Sequence, residues 1–193
     1  TAAGRDLCLS GDFRGGEAKF QEALDRRPGH LPALLMRGLA RIAEQSPGKA
    51  VEDFDRALAA SAGHPVAFFG RSLARALLGR GAEAAPEEPA PEASSLAAAE
   101  DCFLIGCYYF FARKPARAAV FYERAIELDR RAEDAYLMLA FADGYRSELE
   151  TALGHVQFLL QLDPGRALGY LARALCLLRL GDADGAENAL VEG

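Results

Sequence analysis

Apolar residues fall along this chain at helical spacing, in stretches cut by Gly, Pro and Asp. Five stretches predict one set of helices: Leu31–Gln45, Pro65–Gly79, Ala99–Ala112, Glu133–Arg146 and Ala167–Leu180. Five more predict a second set: Gly16–Arg27, Gly48–Ser61, Pro115–Asp129, Leu149–Leu162 and Asp184–Glu192. The two sets alternate. Turn signals separate them, such as Gly11-Asp12, Ser46-Pro47-Gly48 and Gly181-Asp182, and helix stops close each pair, such as Pro28-Gly29 and Asp163-Pro164-Gly165. Cys102–Phe111 and Tyr136–Phe141 are apolar on every face, which predicts burial on all sides.

The pattern repeats every 34 residues without insertion or deletion. One column reads Gly4, Gly38, Ser72, Gly106, Ala140 and Ala174; another reads Gly16, Ala50, Ala84, Ala118, Ala152 and Ala186. Every member is small. A fixed period of this length marks a stacked array of helix pairs with a continuous spine rather than one globular core. Small residues let two helix backbones approach closely, and a ring beside them fills the remaining space. Phe20, Phe54 and Tyr122 stand where that ring is needed, with Ala23, Ala57 and Ala125 three residues on.

These columns resemble the tetratricopeptide repeat family over essentially the whole chain. Bulky residues open the first helices at Leu34, Phe68, Tyr136 and Tyr170, and closing prolines stand at Pro28 and Pro164. Ala118–Asp129 is nearly the family pattern as written. The resemblance implies an all-α fold: a right-handed superhelical solenoid of antiparallel helix pairs, with about six units in this register. It further implies that the first helices line a concave groove. The groove positions are Leu35, Leu39 and Ile42; Phe69, Leu73 and Leu77; Phe103, Cys107, Phe110 and Phe111; Leu137, Phe141 and Tyr145; and Leu171, Leu175 and Leu178. Nearly all are apolar, and a large exposed apolar surface marks an interaction site. The Lys, Asn and Arg set by which some family members clamp chaperone C-terminal tails is missing from these positions. Charge reversal at Leu35 and Leu137 is therefore expected to abolish binding and leave helicity intact.

The third unit departs from the pattern. Pro86, Pro89 and Pro91 fall where its second helix belongs, and prolines so close together cannot sit inside a helix. Ala82–Ser95 reads as an extended, acidic Ala/Pro-rich loop or linker. The expected organisation is an N-terminal lobe over 1–81, the loop over 82–95 and a C-terminal lobe over 96–193. Both ends fall mid-unit, so an excerpt of a longer protein is expected.

Net charge is −6, which argues against nucleic acid and against an electrostatic hold on anionic lipid. The longest apolar run is too short to span a bilayer. Cys8, Cys102, Cys107 and Cys176 form no metal or redox motif, sit in apolar helical stretches, and suit a reducing, cytoplasmic setting. One charged column is self-compensating. Arg37 stands where other units have Ile105 or Leu139, and Asp53 where they have Phe121 and His155. An Arg37–Asp53 structural ion pair is expected, since buried charges are normally paired. His30 and His64 read as turn or cap residues and His155 as a packing residue. Asp182-Ala-Asp184-Gly185 lacks the later ligands of a calcium loop. No catalytic, cofactor or metal site emerges. The expected function is a scaffold or adaptor that binds an apolar peptide or amphipathic helix of a protein partner. Self-association, docking for a larger enzyme or regulator, and peptide sensing are the alternatives.

Overall fold

The computed structural model describes residues 1–80 and 92–193. Among them the regular structure is eleven α-helices and one 3₁₀ turn, with no strand. The chain divides into two compact units, Thr1–Glu92 and Ala93–Gly193. The first holds α1 (Ala2–Leu9), α2 (Phe13–Arg26), α3 (Leu31–Ala43), α4 (Pro47–Ala60) and α5 (Pro65–Arg80). Each helix packs on the next, and α3 also touches α5. The second holds the 3₁₀ turn Ala93–Ser95, α6 (Ala99–Phe111), α7 (Pro115–Leu128), α8 (Glu133–Tyr145), α9 (Leu149–Leu162), α10 (Ala167–Leu180) and α11 (Ala183–Glu192). Sequential packing recurs there, with further contacts of α8 to α6 and to α10. The expected loop 82–95, with its three prolines, lies outside the described residues as far as Pro91. At its end, Ala93–Ser95 is a 3₁₀ turn against α7 rather than extended backbone, and Leu96 beyond it is buried.

Each helix pair is closed by the same device. Gly11, Gln45, Arg113, Ser147 and Gly181 all have positive φ, from 55° at Gln45 to 90° at Gly11. All five share one column of the 34-residue frame. The left-handed residue turns the chain out of the first helix, and the next residue opens the second. Asp12 and Asp182 do this as N-caps, accepting from the N–H groups of Gly15 and Gly185, each at 2.9 Å. Gly79 occupies the same column in the third unit, yet it has no positive φ and α5 runs on to Arg80.

Inside the pairs, glycine and ring fit together. A methyl placed on Gly38 would lie 2.6 Å from Phe54 Cζ, and one on Gly106 would lie 2.6 Å from Tyr122 Cε1. Gly4 sits against Phe20 in the same way, at 2.8 Å. Both members of each pair, sixteen residues apart, lie in one column each. Where the first column holds alanine instead, at Ala140, the second holds the smaller Val156. The volume added on one helix is removed from the other, as close packing demands. Phe20, Phe54, Tyr122 and Val156 are fully buried.

A second contact between paired helices changes chemistry from unit to unit. In the first unit, Arg37 Nε donates to Asp53 Oδ2 at 3.0 Å, and Arg41 Nη1 donates to the same oxygen at 2.8 Å. Arg37 also donates to Gln21, and Arg41 Nε to Glu17 at 2.8 Å, which ties α2 to α3 and α4. Two guanidiniums and two carboxylates balance in charge. Arg37 and Asp53 are buried, so each depends on the others to replace its lost hydration. The residues twelve apart at Arg41 and Asp53 become Tyr109 and Phe121 between α6 and α7, with ring centroids 5.5 Å apart. Between α8 and α9 they become Asp143 and His155, with Asp143 Oδ2 2.9 Å from His155 Nδ1. Arg146 Nη1 lies 3.3 Å from the other Asp143 oxygen. His155, expected to be a packing residue, is thus half-buried and hydrogen-bonded to a buried carboxylate.

Two predictions follow from the turns and the network. Gly181→Ala should cost about 1–2 kcal/mol, because alanine is strained at that φ, while Gln45→Gly should add about 0.5 kcal/mol. Urea unfolding of each variant checks the signs. Asp53→Ala should cost about 3–5 kcal/mol by stranding two cations. The triple change Arg37→Ile, Arg41→Tyr and Asp53→Phe, which installs the α6–α7 chemistry, should recover most of that loss in the same measurement.

Candidate functional site

The apolar positions expected to line a groove separate into core and surface. In Thr1–Glu92, Leu35, Leu39, Ile42, Phe69 and Leu73 are all buried, and Leu77 is half-buried. The open groove expected there is not present at these residues. α3, which carries the first three, packs on α2, α4 and α5, and α5, which carries the others, packs on α4 and α3. In the second unit Phe103, Cys107 and Leu137 are buried as well.

The remaining positions form a surface. Phe110, Phe111 and Phe141 are half-buried. Tyr145 is 70% exposed, Leu171 42%, Leu175 46% and Leu178 53%. The three leucines follow an i, i+4, i+7 spacing, which places them in one row along α10. Tyr145 lies at the end of α8, on which α10 packs. Its ring meets Phe110 edge-on at 5.4 Å, and Phe110 meets Phe111 edge-on at 5.6 Å. An aromatic shelf therefore crosses from α6 to α8, and α10, which carries the leucine row, packs on α8. Arg179 ties α10 to α8 and the turn after it: it donates to the Gly144 carbonyl and, through Nη2, to Ser147 Oγ at 3.2 Å.

Sequence reasoning missed the partners of the buried charges. Arg41 and Asp143 share a column, and Asp53 and His155 share the column twelve residues on. Comparing those two columns together reveals both pairings. Pairing Arg37 with Asp53 alone leaves out Arg41, Glu17 and Gln21.

The reactive groups are quiet. All four cysteines are free and buried. Burial, with Asp12 nearby, pushes the Cys8 thiol up to about 12. Burial also raises Cys102 and Cys176, and it pushes Tyr122 well above the ordinary phenol value. His30 is the N-cap of α3, its Nδ1 accepting from the Ala33 N–H at 3.2 Å. Among the described residues no group of three or more His, Cys, Asp or Glu is placed to hold a metal, and no helix is long and apolar enough to cross a membrane.

The buried thiols give a pH dependence with a definite sign. A thiol whose folded pKa lies above its unfolded value favours the folded state fully below the unfolded value, near 9. That contribution is lost as pH rises from 9 towards about 12. Stability in a pH series should therefore fall over this window, and replacing Cys8 by Ala should flatten part of the fall. The burial pattern also reverses the expectation for the groove double variant. Leu35→Glu with Leu137→Glu puts two carboxylates into the core, and loss of helical circular dichroism should result.

Comparisons with known proteins agree with the helix pairs. Tetratricopeptide repeat models match residues 1–65 and 100–131, together just over half of the chain. No curated protein sequence matches it. Among solved structures, MamA superposes with a TM-score of 0.51 at 18% identity, over 98% of this chain and 91% of MamA. YrrB, described as a repeat protein of this kind with an unusual peptide-binding site, gives 0.51 at 15% identity over 98% of this chain and 80% of its own. A tetratricopeptide repeat protein from Parabacteroides merdae gives 0.51 at 15% identity over 96% of this chain and 74% of its own. Helix pairs in a 34-residue register, glycine–ring packing within them and two matching family models lead to one conclusion: the chain belongs to the tetratricopeptide repeat family.

Proposed function

We propose that this chain acts by binding other proteins, through the apolar first-helix surface of Ala93–Gly193. The observation that carries this reading is the row Leu171, Leu175 and Leu178 on α10, exposed while Leu35, Leu39 and Ile42 at the matching positions of the first unit are buried. Exposed apolar side chains scattered singly mean little, but a row along one helix, flanked by an aromatic shelf, is the form in which grooves take up partner helices. The binding residues are Phe110, Phe141, Tyr145, Leu171, Leu175 and Leu178. The ligand is an amphipathic helix or an apolar extended segment, anchored by a few large side chains. The peptide-binding site described for YrrB is consistent with this use of the fold. Self-association through the same row is the competing reading, and it has the same origin in exposed leucine.

A display library of random peptides selected on the immobilised protein tests the proposal. Selected peptides should carry apolar residues at i, i+3 or i+4 spacing. They should lose at least about ten-fold in affinity for the Leu171→Glu, Leu175→Glu double variant, because both side chains sit at the proposed anchor. The variant should keep wild-type helicity, since both positions face solvent. Unchanged affinity in the folded variant would remove this surface from consideration. A concentration-dependent dimer in light scattering, abolished by the same variant, would establish self-association instead.

A further inference from the structure

We infer that α11 is a docking face for an amphipathic helix of a partner protein, seated on it as each first helix of this chain seats on the second helix before it. The leucine row on α10 is a separate surface, and the inference does not depend on it. The first support is one column of the 34-residue frame. Phe20, Phe54, Tyr122 and Val156 are fully buried, whereas Leu190 in the same column is 55% exposed. Val191 beside it is 82% exposed. The other described second helices hold Gln21, Asp55, Glu123 and Gln157 at that position, all polar. Two adjacent apolar side chains therefore stand open on α11 where the array elsewhere has one buried and one polar.

The second support is an interface that the chain itself repeats. α2 carries α3, α4 carries α5, α7 carries α8 and α9 carries α10. Phe54 meets Gly70 on α5, sixteen residues on, where an added methyl would lie 2.7 Å from its ring. The same offset from Phe20, Tyr122 and Val156 falls on Met36, Met138 and Ala172, all buried. The next position repeats it: Arg37 donates to Gln21, and Arg71 Nη1 to Asp55 Oδ1 at 3.1 Å. A third contact spans twenty-four residues, Arg41 Nε donating to Glu17 at 2.8 Å. Glu187 stands in the column of Glu17 and is exposed.

These offsets specify the partner. Its helix has an apolar residue against Leu190, a second apolar residue directly after it against Val191, and a cation four positions further against Glu187. The residue before that cation is small or apolar, as Ala40 is before Arg41. All four lie on one face of a helix. The chain's own α1 does not fit this seat. In the same register it sets Leu7 against Glu187, and it puts Asp6 in a column whose other members, Ala40, Ala74, Tyr108, Ala142 and Cys176, are buried. A carboxylate buried there without a partner loses its hydration, which disfavours a second copy as the occupant.

The test measures anisotropy and amide chemical shifts for the full chain with three capped peptides. SEAQQMLQQARKQAEQ carries the pattern, SEAQQMLQQAEKQAEQ reverses the cation, and SEAQQDNQQARKQAEQ removes both apolar anchors. The first should shift the amides of Glu187, Leu190 and Val191 and bind at least about three-fold tighter than the second. The third should leave those amides in place. In the Glu187→Lys variant the order of the first two should reverse. Leu190→Asp with Val191→Asp should weaken the first peptide at least about ten-fold. All three positions are exposed, so both variants should keep wild-type circular dichroism. The inference is overturned if the first peptide leaves the α11 amides unmoved, or if Glu187→Lys affects the first two peptides alike. It is also overturned if those amides shift with protein concentration alone, which would give the face to a second copy. Should display-selected peptides bind through Leu171 and Leu175 while α11 stays silent, this inference fails and the interaction reading stands.

Discussion

A ring lying on a glycine sets the distance between the two helices of a pair, and the rest of each unit is arranged around that contact. Phe54 touches Gly38 within its own pair and also Gly70 on α5, where an added methyl would lie 2.7 Å from its ring. One side chain thereby spaces three helices. A methyl group at either glycine would overlap a ring with no room to retreat, because Phe54 is fully buried. The dispersion and burial gained by one such ring amount to about 2–3 kcal/mol, and the stacking of helix pairs repeats that gain along the chain.

The same spacing decides what becomes surface. α3 packs on α2, α4 and α5, and its apolar residues Leu35, Leu39 and Ile42 are core. On α10 the corresponding Leu171, Leu175 and Leu178 are exposed. Identical side chains at identical register positions thus have different roles. The buried Arg37, Arg41 and Asp53 network belongs to the first case: its charges are matched inside the unit and leave no cation to offer a ligand.

The helices and their pairing were legible in the sequence, because a 34-residue period with small residues in fixed columns has few other physical meanings. The facing of Arg37 and Asp53 was also readable, since charge appears in both columns of one unit and in neither partner column of another. The fate of the groove was not. Whether Leu35 is core and Leu175 surface depends on how closely one first helix approaches the next, and hydrophobic pattern reports only that both are apolar. His155 packs against the Tyr136 ring as expected, but its hydrogen bond was not legible, because its partner Asp143 lies on the preceding helix, twelve residues back. The left-handed turn column was half visible, at Gly11 and Gly181, but Gln45, Arg113 and Ser147 hide it behind ordinary side chains.

The central claim is that the small residue and the ring opposite it are a matched pair. A double-mutant cycle tests it most directly, on Gly106→Ala and Tyr122→Val, which together install the Ala140 and Val156 combination of the next unit. Urea unfolding should show Gly106→Ala to be destabilising alone, although alanine favours a helix over glycine by about 1 kcal/mol. The helical Gly154, which has no atom within 4 Å of an added methyl, should gain from the same change. In the Tyr122→Val background the Gly106→Ala cost should disappear, giving a coupling of about 1–3 kcal/mol. Strictly additive effects, or a stabilising Gly106→Ala in the wild-type background, would contradict the account.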